Sequence, residues 1–358
     1  MIDMLNKIIF STISIMNDTA MWLVLSFLVA GALRNILTPE KFQRALGNTK
    51  MSSIIKATVS GMFLPICSCG VIPLGVSMYY SGAYLGPTLA FMTATPIINP
   101  VAVLLTVGLL GPKIGIIYIV TGIIAPIIIG VIANKYGGGE LKLSGIEEGA
   151  GYINLEQDEE KNWLDKLGSG FHWAFLDLGF AVSKYVVPGV LLAGIILSIV
   201  PEQFIQSFLG EPGLISLGGI AVLSGVMYVC AVGHIPFIAA LIAGGASPGT
   251  AITFLMTGAA TNIPELISIY KLIGKRAVIL YGSIVTVISL IAGYITNLLL
   301  LPGFKPFVNL DRSKSYVKLA NSLIIAAPEG VKYFCSLIIC ILFALAVWPK
   351  VREFLIEK

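Results

Sequence analysis

The chain has 358 residues, 56% of them hydrophobic and only 12% charged, with a net charge of +4. A soluble domain carries about 25% charge, so this composition excludes an ordinary soluble protein. The small positive balance fits the Lys and Arg of membrane loops rather than a nucleic-acid footprint, and five cysteines, mostly within apolar runs, do not make a secreted disulfide framework.

The first twenty residues, "MIDMLNKIIFSTISIMNDTA", carry one lysine, and Asn17 and Asp18 then interrupt the apolar run. That pattern predicts an in-plane amphipathic start rather than a cleaved signal peptide. Crossing a ~30 Å hydrocarbon core takes about 20 apolar residues. Runs of that kind fall at 19–36, 57–80, 86–110, 113–133, 177–200, 213–243, 250–270, 277–301 and 331–348. The fold class is therefore all-α and polytopic.

Between 135 and 175 the chain turns polar, with the Gly-rich, acidic "GGGELKLSGIEEGAGYINLEQDEEKN". The "WLDKLGSGFHWAFLDLG" that follows mixes aromatic and charged residues and suits the membrane interface. A second polar stretch covers 303–330. The organisation read from this is a first transmembrane repeat at 1–134, a linker at 135–176, a second repeat at 177–302, and a polar segment plus terminal helix at 303–358.

The repeat rests on an ungapped offset of 163 residues. It pairs Cys67 with Cys230, Gly70 with Gly233, Pro73 with Pro236, Gly82 with Gly245, Gly86 with Gly249, Phe91 with Phe254 and Asn99 with Asn262. Gly, Pro, Cys and Asn are not the filler of a membrane span, so chance similarity of two apolar stretches does not account for the match. Residues 212–245 hold no charge over 34 positions. One straight helix of that length would reach about 50 Å, so a re-entrant hairpin uses it better. Three crossings plus one re-entrant segment would invert the second copy. With that topology the inside loops hold 15 Lys and Arg against 7 outside; if every segment crosses, the split is 12 against 10. The inverted arrangement agrees better with the positive-inside rule. Inverted repeats with broken helices meeting near the midplane are a transporter architecture.

The chemistry centres on "PICSCGVIP", residues 65–73. Lipid offers no water to freed backbone groups, so a break there needs a reason. Pro65, Gly70 and Pro73 disfavour a regular helix. On a regular helix Cys67 and Cys69 would point about 200° apart, whereas an unwound segment lets both sulfurs converge. Two thiolates chelate soft species such as Cu(I), Zn or trivalent arsenic. Cysteine is also a small apolar packing residue, but a Pro-bounded Cys-x-Cys repeated around Cys230 favours the ligand reading. The second copy replaces Cys69 with Val232 and Val71 with His234. Facing breaks would assemble Cys67, Cys69, Cys230 and His234, with His234 equally well read as a packed histidine. Cys335 and Cys340 read as packing in the last span.

The second break lies at "TATPIINP" (93–100) and its partner "TGAATNIPE" (257–265). Pro96, Pro100 and Pro264 interrupt the helix ladder. Asn99 and Asn262 either satisfy the freed backbone or contact a polar ligand. Glu265 and Lys184 are ionisable residues inside apolar segments, each a proton-relay candidate or half of a buried pair. No Walker A motif, Ser-His-Asp arrangement or HExxH sequence occurs, so no enzyme chemistry and no cofactor is expected.

"LPICSCGVIP" followed by "GPTLAFMTATPIINP" resembles the predicted-permease family that includes YraQ and the organoarsenical efflux permease ArsP, over roughly residues 15–300. The resemblance implies a multi-pass permease of a prokaryotic inner membrane. It implies a thiophilic substrate, a trivalent organoarsenical such as methylarsenite or a metal ion such as Cu or Zn, with Cys67 and Cys69 as ligands and Cys230 opposite. A carrier of a sulfur-containing anion stays open beside it, as does a scaffold role in which the breaks only pack. The expected partners are the substrate and the bilayer, with a homo-oligomer left open and nucleic acid excluded.

Overall fold

The computed structural model describes residues 2–36, 46–64, 68–142, 163–199, 213–226, 234–235, 238–239, 241–242, 245–301, 304 and 328–356. All regular structure among them is helical. In chain order the helices are α1 (Ile2–Ile36), α2 (Met51–Met62), α3 (Ser68–Tyr80), α4 (Leu85–Ile97), α5 (Pro100–Leu105, continued by a π turn Thr106–Leu110) and α6 (Pro112–Tyr136). They continue as α7 (Trp163–His172), α8 (Gly179–Ile199), α9 (Leu214–Val226), α10 (Pro248–Ala260), α11 (Ile263–Leu272), α12 (Lys275–Leu300) and α13 (Glu329–Ile356). A π-helical turn, Trp173–Leu178, joins α7 to α8.

The 163-residue offset recurs in the element boundaries. α2 corresponds to α9, α4 to α10, the start of α5 to the start of α11, and α6 to α12. Packing follows suit. α4 lies against α2 and α6, and α10 against α9 and α12. The copies meet through α1 on α8, α3 on α11, α4 on α10 and α6 on α12, while α13 closes over α1 and α8.

Turn chemistry repeats too. Gly82 (φ 94°) and Gly245 (φ 103°) both take the left-handed region. In each case the next N–H bonds five residues back at 3.0 Å, Ala83 to Met78 and Ala246 to Leu241. This is a Schellman helix end, which favours Gly because a Cβ is strained at that φ. At the crossing of α4 and α6, the Gly86 N–H donates to Asn134 Oδ1 at 3.0 Å. At the crossing of α10 and α12, the Gly249 N–H donates to Asn297 Oδ1 at 2.7 Å. A methyl on either glycine would run into these asparagines and the carbonyls of Gly130 or Gly293. Small residues therefore set the close approach of the helices, as expected in lipid.

Three readings are corrected. The N-terminal segment is not interrupted at Asn17: α1 is one helix of 35 residues, about 52 Å long. Asn17 is buried and accepts the Ser336 hydroxyl of α13 at 2.7 Å, so the polar residue that looked like a break is an interhelical contact. Pro73 and Gly70 do not prevent a helix, since α3 runs through both. Pro73 costs only the bond to the carbonyl of Cys69, in the first turn; Pro65, Ile66 and Cys67 lie outside the described residues. The nine apolar runs also do not become nine long helices. Among the described residues four helical segments are long and apolar enough to cross a membrane: 112–136, 248–272, 275–300 and 329–348. The pair Leu85–Ile97 and Pro100–Leu110, bent by 41°, makes a fifth if taken as one span. α2 has 12 residues, about 18 Å at 1.5 Å per residue, and stops short.

Exposed apolar residues line the outer faces. Ile116, Val120, Ile124 and Ile128 recur every four residues on α6, and Phe334, Leu337, Ile341 and Leu345 form a similar stripe on α13. Water would penalise such stripes and lipid does not.

Candidate functional site

Each copy has a helix junction near its middle, built on an asparagine. In the first copy α4 carries Pro96 in its last turn and ends at Ile97. Asn99 is extended (φ −101°, ψ 155°), and its side chain accepts the Ala102 N–H at 2.7 Å. Pro100 opens α5, where a missing N–H costs nothing. In the second copy α10 ends at Ala260. Asn262 is extended (φ −71°, ψ 151°) and accepts the Glu265 N–H at 3.1 Å. Pro264 lies in the first turn of α11. Both asparagines are buried and both are N-caps, each satisfying an N–H that the first helical turn leaves without an intrahelical partner.

The copies then diverge. The counterpart of Ala102 is Glu265, a carboxylate with no exposed surface. Its Oε2 accepts Asn262 Nδ2 at 3.2 Å, and its Oε1 accepts the Tyr281 hydroxyl at 3.0 Å. Tyr281, from α12, also reaches the Met92 carbonyl of α4 at 3.5 Å. The corresponding Tyr118 of the first copy donates instead to the Ile97 carbonyl at 2.5 Å, inside its own copy. Around them α4 and α10 are buried along their whole length. Their threonines are turned onto backbone or onto one another: Thr93 onto the Leu89 carbonyl at 2.7 Å, Thr253 onto the Ser289 carbonyl at 3.1 Å, and Thr257 onto the Ser289 hydroxyl.

The other expected residues fall as follows. Cys67 and Cys230 lie outside the described residues. Cys69 sits in the first turn of α3, with its side chain outside the description. His234 is half-buried, its ring centred 6.0 Å from that of Phe254 on α10. Lys184 is half-buried on α8, and among the described residues no ion pair joins it to Glu265. Among the described residues no group of three His, Cys, Asp or Glu side chains stands ready for a metal ion. The structure thus brings Asn262 and Glu265 together and puts Asn99 at the equivalent junction. Tyr281, Tyr118, Asn134 and Asn297 were not singled out from the sequence, although both pairs obey the 163-residue offset.

The pattern of the predicted-permease family matches residues 4–298, which includes both junctions. The chain belongs to that family. Among its relatives, the UPF0718 protein MJ0584 of Methanocaldococcus jannaschii is 25% identical, with 83% of this chain and 97% of that protein aligned. The UPF0718 protein YraQ of Escherichia coli is 21% identical over 74% of each chain. A Streptococcus mutans protein, named as a subunit of a two-component membrane permease complex, is 22% identical over 71% of this chain and 83% of its own. No solved structure matches significantly. The permease is a multi-pass membrane protein by family and by its long apolar helices. Permeases move solutes and are transporters rather than enzymes.

Proposed function

We propose that this permease exports a soft, thiophilic substrate, a trivalent organoarsenical such as methylarsenite, across a prokaryotic inner membrane. In this reading the two copies are inverted repeats with broken or re-entrant helices, bounded at 1–134 and 177–302. Substrate binds near the midplane, where the Asn99 and Asn262 junctions and the Cys67–Cys69 segment converge, with Cys230 or His234 completing the site and Lys184 a further coupling candidate. The observation that carries the reading is the recurrence of one capped junction in both copies. The short α2 and the 41° bend after Ile97 agree with half-crossing helices, which transporters use to line a site with freed backbone. The sulfurs supply the preference for a soft ligand. An efflux site must also release what it binds, so two sulfurs exchanging with a third suit export better than a closed cage. A Cu or Zn efflux permease uses the same thiolates, and a carrier of a sulfur-containing anion would use the helix N-termini instead.

The test is export of methylarsenite, Cu(I) and Zn(II) from cells carrying the native chain or the Cys67→Ser/Cys69→Ser variant at matched membrane abundance. Loss of one substrate's export in the variant supports a thiol site and names its ligand. Export that survives reduces the cysteines to packing, and no export of any of the three favours the sulfur-anion carrier. The name of the Streptococcus relative also suggests a partner subunit, which co-isolation with the tagged permease would detect.

A further inference from the structure

We propose that Glu265 and Tyr281 form a single proton-binding site, present in one copy and touching the other, through which this permease couples transport to one proton per cycle. The inference rests on the permease reading and adds its coupling ion.

The helix cap does not need the carboxylate. Asn99 caps α5 at 2.7 Å with Ala102 in the corresponding position, so the junction forms with a methyl group where the second copy has a carboxyl. Burying a carboxyl without necessity is costly, and inside a membrane it is a functional group by default. Glu265 has no exposed surface, yet it is given a hydrogen-bond donor on each oxygen, Asn262 Nδ2 and the Tyr281 hydroxyl.

Tyr281 gives the site its reach. Its counterpart Tyr118 is committed to a carbonyl of its own copy, whereas the Tyr281 hydroxyl stands between Glu265 Oε1 at 3.0 Å and the Met92 carbonyl of the other copy at 3.5 Å. A phenol has one proton to donate. With Glu265 ionised, that proton belongs to the carboxylate. When a proton adds to a carboxylate oxygen, the carboxyl becomes a donor, and the phenol proton is free for the Met92 carbonyl across the interface. Protonation therefore changes which copy Tyr281 holds. No bond other than O–H is made or broken.

Among the described residues, the elements packed against the pair contribute few other charges. α4 and α10 carry no ionisable side chain. α11 itself adds Tyr270 and Lys271 at its exposed far end, and α12 adds Lys275 and Arg276 at its exposed start. α3 offers Cys69 and, at its end, Tyr79 and Tyr80, whose hydroxyls bond the carbonyls of Glu140 and Leu272. α8 offers Tyr185 and Lys184, the latter in no ion pair with Glu265 among the described residues. His234 lies against Phe254.

The experiment is a pH titration by infrared difference spectroscopy of the full chain in phosphatidylethanolamine–phosphatidylglycerol vesicles, following the protonated-carboxyl stretch. The expected result is a titrating band worth one carboxyl per chain, absent in Glu265→Gln and displaced in midpoint in Tyr281→Phe. In vesicles loaded with methylarsenite, Glu265→Gln should lose the dependence of flux on the pH gradient. Identical titrations of native and Glu265→Gln protein overturn the proposal. Should Glu265→Gln fail to fold, an unmoved midpoint in Tyr281→Phe overturns it instead. Methylarsenite flux without a titrating band defeats this inference and leaves the permease reading standing. A titrating band without flux of the tested substrates supports the proton site and defeats the substrate assignment.

Discussion

Glu140, just past the first copy, caps α12, the helix that begins at Lys275 in the second. Its Oε2 accepts the Ala277 N–H at 2.7 Å, and its Oε1 the Arg276 N–H at 3.0 Å. Gly274, the residue before α12, has no side chain to do this, so the N–H groups that open the helix find their acceptor 136 residues upstream. The charge also suits the positive end of the helix dipole. Tyr79 holds the Glu140 carbonyl at 2.8 Å, and Tyr80 holds the Leu272 carbonyl at 2.7 Å. At the 163-residue offset these residues become Ile242, Ala243 and Gly303, so the sequence offers this polar staple once.

Removing the staple should loosen the contact between the copies. Glu140→Ala should cost about 0.5–2 kcal/mol, the range for lost helix caps. Glu140→Gln, which keeps one acceptor oxygen, should lose less. Thermal unfolding in detergent, read by intrinsic fluorescence, would rank the three proteins. Equal midpoints for native and Glu140→Ala would show that the cap contributes nothing.

Steric limits at the crossings give a second prediction. Gly86→Ala and Gly249→Ala place a methyl against Asn134 or Asn297 and a facing carbonyl. Overpacking of this kind costs about 1–3 kcal/mol. Gly139→Ala meets nothing within 4 Å and serves as the control. The abundance of folded, monodisperse protein after extraction should fall for the first two variants and hold for the third.

The two asparagine caps should not respond equally. Asn99→Ala removes one backbone acceptor, a loss of about 1 kcal/mol. Asn262→Ala removes the same acceptor and also the donor to Glu265 Oε2. Its midpoint should drop further, and Asn262→Asp should restore the cap but not the donor. A larger loss at Asn99 would contradict the assignment of partners.

The pair Asn17 and Ser336 offers a double-mutant test. Ser336→Ala leaves a buried Asn17 oxygen without its donor, which costs about 1–3 kcal/mol. Asn17→Leu with Ser336→Ala removes both polar partners and should recover most of that loss. Additive losses would mean the two residues act separately.

Much of this fold was legible because Gly, Pro and Asn are informative in a membrane chain. Gly82 and Gly245, Gly86 and Gly249, and Asn99 and Asn262 announced the duplication, and each pair proves to do the same task in both copies. The hydrogen-bond partners were harder to see. Asn134 and Asn297 lie 48 residues beyond their glycines, past the end of the aligned segment, and nothing local marks an asparagine as the acceptor for a distant N–H. Glu140 looked like part of a polar linker because a cap drawn from another copy leaves no trace in its neighbours. Asn17 and Pro73 misled for one reason. Propensity treats a polar residue or a proline as an interruption, whereas a tertiary contact satisfies Asn17 and α3 carries Pro73 near its start at the loss of one intrahelical bond. At Glu265 the sequence showed a buried charge but not the tyrosine that answers it, because Tyr281 is recognisable only as the counterpart of Tyr118.

The Ser336–Asn17 hydrogen bond has a consequence for the order of assembly. The two residues are 319 positions apart, so the first helix enters the membrane long before the ribosome has made its partner. Until then Asn17 must borrow a partner from lipid headgroups, trapped water or an insertion factor, since hydrocarbon supplies none. Closure of α13 over α1 thus waits on the synthesis of Ser336. A nascent chain halted before α13 carries an unsatisfied amide on its membrane face, a mark by which quality control can tell it from a chain in which the pair has formed.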